Sequence, residues 1–221
     1  MTTADRGAPR LPLAAAETAS PHERVWIALG ANLGDPLTQV TRAIAELGAM
    51  PQSSLVAASS LYRSAAWGAS TPQPDYINAV VVIDTALSPS ALLAATRAIE
   101  ARHGRIRSTE RNAARTLDID ILLYGERVVH DDALSIPHPR LHERAFVLLP
   151  LTEVTPDAVV PGRGIASTLL AALPLSVLSE TQRIGCPKDT SGNDASKPAG
   201  LGYTSPTDKP PTPGMILGST L

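Results

Sequence analysis

Residues 115–124 (RTLDIDILLY) constrain the possible fold and chemistry of this chain more than any other stretch. Apolar side chains recur there at every second position: Leu117, Ile119, Ile121 and Leu123. This period predicts a β-strand that buries one face. The same alternation places Asp118 and Asp120 together on the other face, roughly 6.6–7 Å apart along the strand.

Two interpretations of the carboxylate pair remain open. The pair can be the solvated face of an antiparallel sheet, or it can hold a hard cation between its two negative charges. Mg²⁺ suits the second interpretation, since it takes oxygen ligands and keeps waters and substrate phosphates in its other positions. Arginines just upstream favour the magnesium interpretation, because guanidinium groups bind phosphates. Those arginines are Arg105, Arg107, Arg111 and Arg115.

The composition limits the class of partner. The 221 residues include 19 basic and 21 acidic side chains, so the net charge gives no reason to expect a nucleic acid or an anionic membrane. Cys186 is the single cysteine, which excludes an intramolecular disulfide and fits a reducing compartment. No apolar run approaches the roughly 20 residues that span a bilayer. We therefore expect a cytoplasmic protein, and we take a monomer as its expected state.

Composition also divides the chain into three parts. Residues 1–23 carry Ala, Thr and Pro with scattered charges and no periodicity, which predicts a disordered leader. Residues 24–175 are predicted to form one domain. Residues 176–221 are rich in Pro, Gly and Ser and have little to bury, which predicts a disordered tail. Truncation after about Ser176 is therefore expected to leave the melting temperature and the rate nearly unchanged.

Periodicity and turn residues predict the element order β-α-β-β-α-β. The predicted strands are 24–29, 54–62, 76–83 and 115–124, and the predicted helices are 36–48 and 88–103, with extra C-terminal strand and helix elements at 127–129, 141–149 and 164–173. Gly30 and Gly34 are expected to form a tight turn after the first strand. The order favours a ferredoxin-like α+β sandwich, in which an antiparallel sheet carries both main helices on one face. The other sheet face would be left for function.

Five short motifs occur in an order that is similar to a known enzyme family. They are residues 27–34, 62–64, 73–79, 111–120, and 136–141 with 144–146. As a set they resemble the 6-hydroxymethyl-7,8-dihydropterin pyrophosphokinases of folate biosynthesis. The resemblance covers about 24–173, which is the whole predicted domain.

The resemblance implies an ATP- and Mg²⁺-dependent diphosphotransferase. Such an enzyme moves the β,γ-pyrophosphoryl group of ATP to the hydroxymethyl oxygen of the pterin and releases AMP. Asp118 and Asp120 would hold two Mg²⁺ ions, and a closing loop would bring Arg105 and Arg115 over the triphosphate. The residues implied to contact the nucleotide are Arg97, Glu100, Arg107, Arg115, Ile121, Ser135, His138 and Arg144.

The resemblance also implies a site for the pterin. Tyr76 and Phe146 would stack the flat heterocycle between them. Asn78 would read its polar edge together with backbone groups nearby, and an unmatched buried edge would be costly. The full implied set is Ser64, Ala65, Trp67, Tyr76, Asn78 and Phe146.

Four positions depart from residues that are common in the family. Arg97 stands where some members have glutamine, and Ala133 where some have arginine. Asn112 stands where some have tryptophan, so stacking from that position would be absent. Ala114 replaces a common proline, which should leave the loop before the Asp118 strand looser.

Two other classes of function remain as alternatives. An RNA-binding module can have the same strand order, but it needs aromatic residues along its central strands. This chain has Val80, Val81 and Val82 in its third predicted strand. A ferredoxin-like protein could also bind pterin or nucleotide without catalysis. That alternative has no support in the sequence, because both aspartates and the matching arginines are present.

Overall fold

The computed structural model describes residues 22–68, 71–106 and 113–187. The strands are β1 (Glu23–Ala31), β2 (Ser53–Ala58), β3 (Leu61–Ser64), β4 (Tyr76–Thr85), β5 (Asp118–Tyr124), β6 (Val129–His130), β7 (Ser135–Ile136), β8 (Val159–Val160), β9 (Gly164–Ile165) and β10 (Thr181–Gly185). The helices are α1 (Pro36–Gly48), α2 (Pro89–Arg102), α3 (Ala145–Val154), α4 (Ala166–Ala171) and α5 (Leu175–Ser179), with a 3-10 turn at Leu141–Glu143. Within these described ranges, no helix has the length and apolar character needed to cross a membrane.

The main sheet is antiparallel throughout. Its strand order is β10-β3-β4-β1-β5, and β2 also pairs with β4. The predicted α+β class with an antiparallel sheet is therefore confirmed at this level.

Capping residues explain why the two long helices begin where the sequence predicts. Asp35 accepts hydrogen bonds from Thr38 N at 3.2 Å and from Thr38 Oγ1 at 2.7 Å, and a proline follows at the first helical position. Ser88 Oγ accepts from Ala91 N at 3.2 Å at the start of α2, which also begins with proline. Each cap satisfies a backbone donor that the helix itself leaves unpaired.

One face of the sheet packs on α1 and α2. The larger apolar cluster joins that face to the inner sides of both helices. Its members include Ile27, Leu29, Val81, Ile119 and Ile121 from the sheet, and Val40, Ile44, Leu47, Leu92 and Ile99 from the helices. Burial of one such side chain contributes about 1.5–3 kcal/mol, so this layer is a main source of the domain's stability.

The opposite face of the sheet is covered in part by α3. Val147 and Leu148 of α3 pack with Val80 of β4 and Leu123 of β5 in a second apolar cluster. The prediction that this whole face is left for function is therefore wrong, because α3 is itself apolar and must bury its side chains. The part of the face beside the start of α3 stays accessible.

A β-bulge changes the face on which Leu123 lies. The register between β1 and β5 shifts between Trp26 and Ile27, whose partners are Leu123 and Ile121. Leu122 is the extra residue, so the alternation of side chains is displaced beyond it. The prediction that Leu123 shares a face with Ile121 is therefore wrong, and Leu123 packs under α3 instead.

The predicted strand 54–62 is in fact two strands, because two serines interrupt the ladder. Ser59 Oγ accepts a hydrogen bond from Val80 N of β4 at 3.0 Å. Ser60 N donates to Glu153 of α3 at 3.1 Å. β2 and β3 pair with β4 on the two sides of this break, so together they form one interrupted strand.

The prediction that a disordered tail begins at residue 176 is wrong for the first part of that segment. α5 and β10 lie within residues 175–185, and β10 pairs with β3 so that Thr181 is opposite Ser64. The side chain of Arg183 donates to Ser60 Oγ at 2.7 Å and to Glu153 at 3.0 Å. These contacts attach the segment to the sheet. The rest of the predicted tail, from 188, and the predicted leader up to 21 lie outside the described residues.

Candidate active site

A pocket open to solvent lies on the sheet face that α1 and α2 do not cover. Paired residues cross its floor: Asp118 of β5 is opposite Gly30 of β1, and Gly30 is opposite Asn78 of β4. The start of α3 and the loop after β3 form its walls. All the residues predicted for the pterin line it: Ser64, Ala65, Trp67, Tyr76, Asn78 and Phe146. So do Arg115, Asp118, Asp120 and Arg144.

Gly30 leaves room above the pocket floor. It lies inside β1, so the prediction that it belongs to the turn is wrong; Gly34, with a φ of 68°, lies in the turn that follows. A Cβ on Gly30 would lie 3.2 Å from Asn78 Oδ1 and 3.7 Å from Tyr76 Cδ1. Any side chain at this position would therefore occupy the space between Asn78 and Tyr76.

Asp118 lies between two arginines. Its Oδ1 accepts a hydrogen bond from Arg105, and its Oδ2 accepts one from Arg115 Nη1 at 2.5 Å. Arg105 also binds Glu100, whose Oε1 accepts from Ile119 N at 2.9 Å. Burial acts to lower the pKa of Arg115, but Asp118, with smaller contributions from Tyr76 and Asp120, outweighs it and the pKa is raised. Arg115 therefore stays charged beside the carboxylate.

Asp120 lies on the same face, next to a neutral imidazole. Its side chain keeps 39% of its surface accessible within the pocket. Enclosure of the carboxylate by the pocket walls raises the pKa of Asp120 well above its usual value by removing part of its hydration, and the charge of Asp118 adds to that effect. His138 Nε2 is 3.8 Å from Asp120 Oδ2. Burial and the nearby Arg144 lower the pKa of His138 to about 4, so the imidazole carries no charge near pH 7.

Arg144 brings an unpaired donor to the pocket. Its Nε is buried and has no hydrogen-bond partner in the part of the chain that the structure describes. Burial lowers the pKa of Arg144, and Asp120 opposes that shift. A buried unpaired donor costs about 1–3 kcal/mol. Because Arg144 lines the pocket, its guanidinium is a candidate partner for an anionic group there.

The amide of Asn78 has a fixed orientation. Its Nδ2 donates to Ser64 Oγ at 3.0 Å, so its Oδ1 points toward Gly30 and the pocket floor. The rings of Tyr76 and Phe146 line the same cavity. Two aromatic rings and an oriented amide are suited to a flat heterocycle with a polar edge.

Several residues predicted to contact the nucleotide do not line this pocket. Arg97 is exposed on α2, Ile121 is buried in the cluster under α1 and α2, and Ser135 pairs within the β6-β7 hairpin. Glu100 is buried, where it binds Arg105. Arg107 lies outside the described residues. The pocket thus joins the predicted pterin residues to the carboxylates and to two of the predicted nucleotide residues.

Asn32 is a site residue to which the sequence analysis gave no role. It is 2% exposed, and its Oδ1 accepts a hydrogen bond from Arg115 N at 2.8 Å. Its Nδ2 donates to Gln73 Oε1 and to Pro74 O, both at 3.2 Å. Asn32 therefore joins the end of β1 to the segments that precede β4 and β5. Its position in the 27–34 motif was the one sequence signal that could have indicated a role for Asn32. Its partners could not be predicted, because they lie 41 to 83 residues away along the chain.

Replacement of Asn32 by aspartate is expected to destabilise this junction. The carboxylate can still accept from Arg115 N, but it cannot donate to Gln73 or Pro74 and would face the carbonyl oxygen of Pro74. The loss should be about 1–3 kcal/mol of unfolding free energy, measured by urea denaturation. An unchanged midpoint would contradict the role given to Asn32. Gln39→Glu makes the same amide-to-carboxylate change on α1 beside His103 and serves as a control outside the pocket.

The donor set of the pocket fits a hard divalent cation that arrives with its substrate. The described residues include no group of three or more His, Cys, Asp or Glu side chains that could hold a metal. Asp118 and Asp120 offer two carboxylates, and Mg²⁺ is usually bound by one or two carboxylates plus substrate phosphates and waters. A cation between them would also relieve the repulsion that raises the pKa of Asp120.

Comparison with protein families gives one match over most of the domain. The family model described as 7,8-dihydro-6-hydroxymethylpterin-pyrophosphokinase (HPPK) matches residues 26–156. A Haemophilus influenzae protein named 2-amino-4-hydroxy-6-hydroxymethyldihydropteridine pyrophosphokinase is 43% identical over 145 residues, which are 66% of this chain and 89% of that protein. A Pseudomonas aeruginosa protein of the same name is 43% identical over 152 residues, which are 69% of this chain and 93% of that protein.

Solved structures show a similar fold at low sequence identity. A double variant of Plasmodium falciparum HPPK-DHPS, crystallised with pterin and p-hydroxybenzoate, superposes with a TM-score of 0.58 at 13% identity. The match covers 76% of this chain and 48% of that one, so this chain spans about half the length of the solved protein. The family match and the two relatives confirm the resemblance drawn from the five sequence motifs.

Proposed function

The chain belongs to the 7,8-dihydro-6-hydroxymethylpterin-pyrophosphokinase family, and we propose that it transfers pyrophosphate from ATP to the hydroxymethyl group of 6-hydroxymethyl-7,8-dihydropterin in folate biosynthesis. The observation that carries the proposal is the shared pocket. It joins an aromatic cavity, at Tyr76 and Phe146, to a carboxylate pair with arginines.

The aromatic half of the pocket would bind the pterin. Tyr76 and Phe146 supply rings for stacking, and the fixed amide of Asn78 supplies an acceptor toward the pocket floor. Gly30 leaves space for the ring system, since a Cβ there would approach Asn78 and Tyr76. A buried polar edge without partners costs about 1–3 kcal/mol, so the amide would select heterocycles with a matching edge.

The charged half would bind the triphosphate. Asp118 and Asp120 would hold two Mg²⁺ ions, which when bound would supply positive charge that offsets the negative charge of the phosphates. Arg105 and Arg115 now neutralise Asp118; with the cations bound they would be available to the phosphate oxygens. The guanidinium of Arg144, which lines the pocket, would be a further donor for an anion. His138 would contribute a neutral donor, because its pKa is about 4.

The reaction follows from placing the two substrates side by side. The hydroxymethyl oxygen would attack the β-phosphorus and lose its proton to solvent as the new O–P bond forms. The bond from the β-phosphorus to the oxygen that bridges to the α-phosphate would break, and AMP would leave. The arginines would offset the charge on the transferred group, which is a main source of catalysis in phosphoryl transfer.

Finer features of the protein form part of the same proposal. If β2 and β3 count as one interrupted strand, the sheet has four main strands, which lie in the order β2/β3, β4, β1, β5. Numbered along the chain, this order is 2-3-1-4, which supports a ferredoxin-like sandwich. A cytoplasmic location, a monomeric state and the absence of nucleic-acid or membrane partners remain predictions. The RNA-binding alternative is not favoured, because α3 packs over Val80 and part of the sheet face.

The mass of the pterin product tests the proposal. The chain is incubated with ATP, Mg²⁺ and 6-hydroxymethyl-7,8-dihydropterin, and the product is identified by mass spectrometry. We expect a gain of two phosphoryl groups, and no product from 6-methyl-7,8-dihydropterin, which has no hydroxyl. A gain of one phosphoryl group would contradict pyrophosphoryl transfer. Tight pterin binding without any product would favour the alternative of a binding protein without catalysis.

A further inference from the structure

An arginine outside the predicted site stacks on a pocket wall. The guanidinium carbon of Arg140 lies 4.0 Å from the ring centroid of Trp67. Arg144 lies 5.4 Å from the same ring and 5.5 Å from the ring of Phe146. Trp67 comes from the loop after β3, whereas both arginines come from the segment that leads into α3. The stack therefore connects two parts of the pocket wall that are far apart in sequence.

The arginine side of this stack is firmly anchored. His138 N donates to Leu122 O of β5 at 2.9 Å, and Leu141 is fully buried under the sheet. Arg140 lies between these two anchors. Its backbone N donates to His138 Nδ1 at 3.3 Å, and its Nε lies 3.6 Å from Glu143. The Arg140 guanidinium thus projects from a fixed base onto a ring that a loop carries.

The contact between Arg140 and Trp67 is suited to hold the indole ring in one position. A guanidinium over an indole face gains cation–π attraction, and its planar shape also allows stacking that a lysine ammonium cannot reproduce. Trp67 lines the pocket, whereas Arg140 does not. Arg140 would therefore act on a ligand through Trp67 and not by touching it.

We propose that Arg140 is a positioning residue for pterin binding: it holds Trp67 as a wall of the aromatic half and links that wall to the segment carrying His138 and Arg144. The inference rests on the proposed function, and it assigns a role to a residue for which the resemblance implied none. Loss of the stack should let the Trp67 loop leave the pocket wall, so that pterin binding weakens.

A double-mutant cycle on binding and turnover tests this role. Arg140→Ala should raise the Kd and KM for 6-hydroxymethyl-7,8-dihydropterin about 3- to 30-fold, the range of a partly desolvated cation–π contact, with kcat changed less than about 2-fold. Arg140→Lys should recover part of the loss. In a Trp67→Ala background, Arg140→Ala should have no further effect on Kd, because the indole ring through which Arg140 acts is absent.

Arg127→Ala is the matched control. Arg127 lies 5.2 Å from the ring of Tyr124 and binds Glu23 at 2.9 Å, so it has the same kind of contacts away from the pocket. It should leave Kd for the pterin unchanged. If the wild-type chain binds the pterin and Arg140→Ala has the same Kd, this inference is wrong but the proposed function stands. The same holds if the losses from Arg140→Ala and Trp67→Ala are additive. Failure of the wild-type chain to bind the pterin would contradict the proposed function as well.

Discussion

The Asp118→Asn variant is expected to lose about 10³-fold or more of the wild-type kcat while it keeps its fold, because removal of fixed charge from phosphoryl-transfer sites has effects of that order. Asp118 is one of two carboxylates on the pocket face, and it organises both Arg105 and Arg115. Asparagine has the same shape but offers one neutral oxygen, so it would hold a cation weakly and release the arginines.

The fold should survive because the arginines keep other partners. Arg105 also binds Glu100 and Leu117 O, and Arg115 Nε donates to Ala113 O at 3.1 Å. Steady-state kinetics and thermal unfolding, measured together, separate the two effects. Asp84→Asn is a suitable control, since Asp84 pairs with Arg24 at 2.9 Å outside the pocket. Activity of Asp118→Asn near that of Asp84→Asn would contradict the assignment of the metal ligands.

Truncation after Pro174 is expected to destabilise the domain and weaken pterin binding. It removes β10, which pairs with β3 at four positions, and backbone hydrogen bonds contribute about 0.5–1.5 kcal/mol each. A loss of about 2 kcal/mol or more should lower the Tm by about 4–8 °C. The same cut removes Arg183 from Glu153 and Ser60.

The effect should reach the pocket as well as the Tm. A small depression lies behind the pocket wall formed by Trp67 and Phe146, and Val177, Glu180 and Thr181 also line it. Loss of those residues should raise the KM for the pterin more than the KM for ATP.

Truncation after Pro187 is the control for this experiment. It removes only residues whose composition predicts a disordered tail, so it should change neither the Tm nor either KM. Equal behaviour of the two truncated chains would contradict the role of β10. A large loss from the shorter deletion would contradict the prediction for the tail.

The parts of the fold that were predictable are those with local causes. The pairs Asp35-Pro36 and Ser88-Pro89 mark helix starts by capping chemistry alone, and both helices begin there. The period of Ile119 and Ile121 predicted a buried strand face, which the structure has. The predicted pterin residues meet in one pocket because β3, the loop after it and the start of β4 are adjacent, and the start of α3 brings Phe146 to the same place.

The features that sequence reasoning missed depend on distant partners. Ser60 interrupts a strand because Glu153 accepts its N–H from 93 residues away. Asn32 gained no role because its partners come from two other loops. The bulge at Leu122 cannot be recognised from a period-two pattern of apolar residues, since the extra residue is apolar like its neighbours and leaves the composition of the strand unchanged. β10 is short and polar, so its pairing with β3 has no hydrophobic signal.

Formation of AMP from ATP is the measurement that tests the central claim most directly. The chain is assayed with and without 6-hydroxymethyl-7,8-dihydropterin and with and without Mg²⁺, and adenine nucleotides are separated by chromatography. We predict AMP only when pterin and Mg²⁺ are present together, and little AMP from Asp118→Asn under the same conditions. ADP in place of AMP, or AMP formed without the pterin, would contradict pyrophosphoryl transfer at this site.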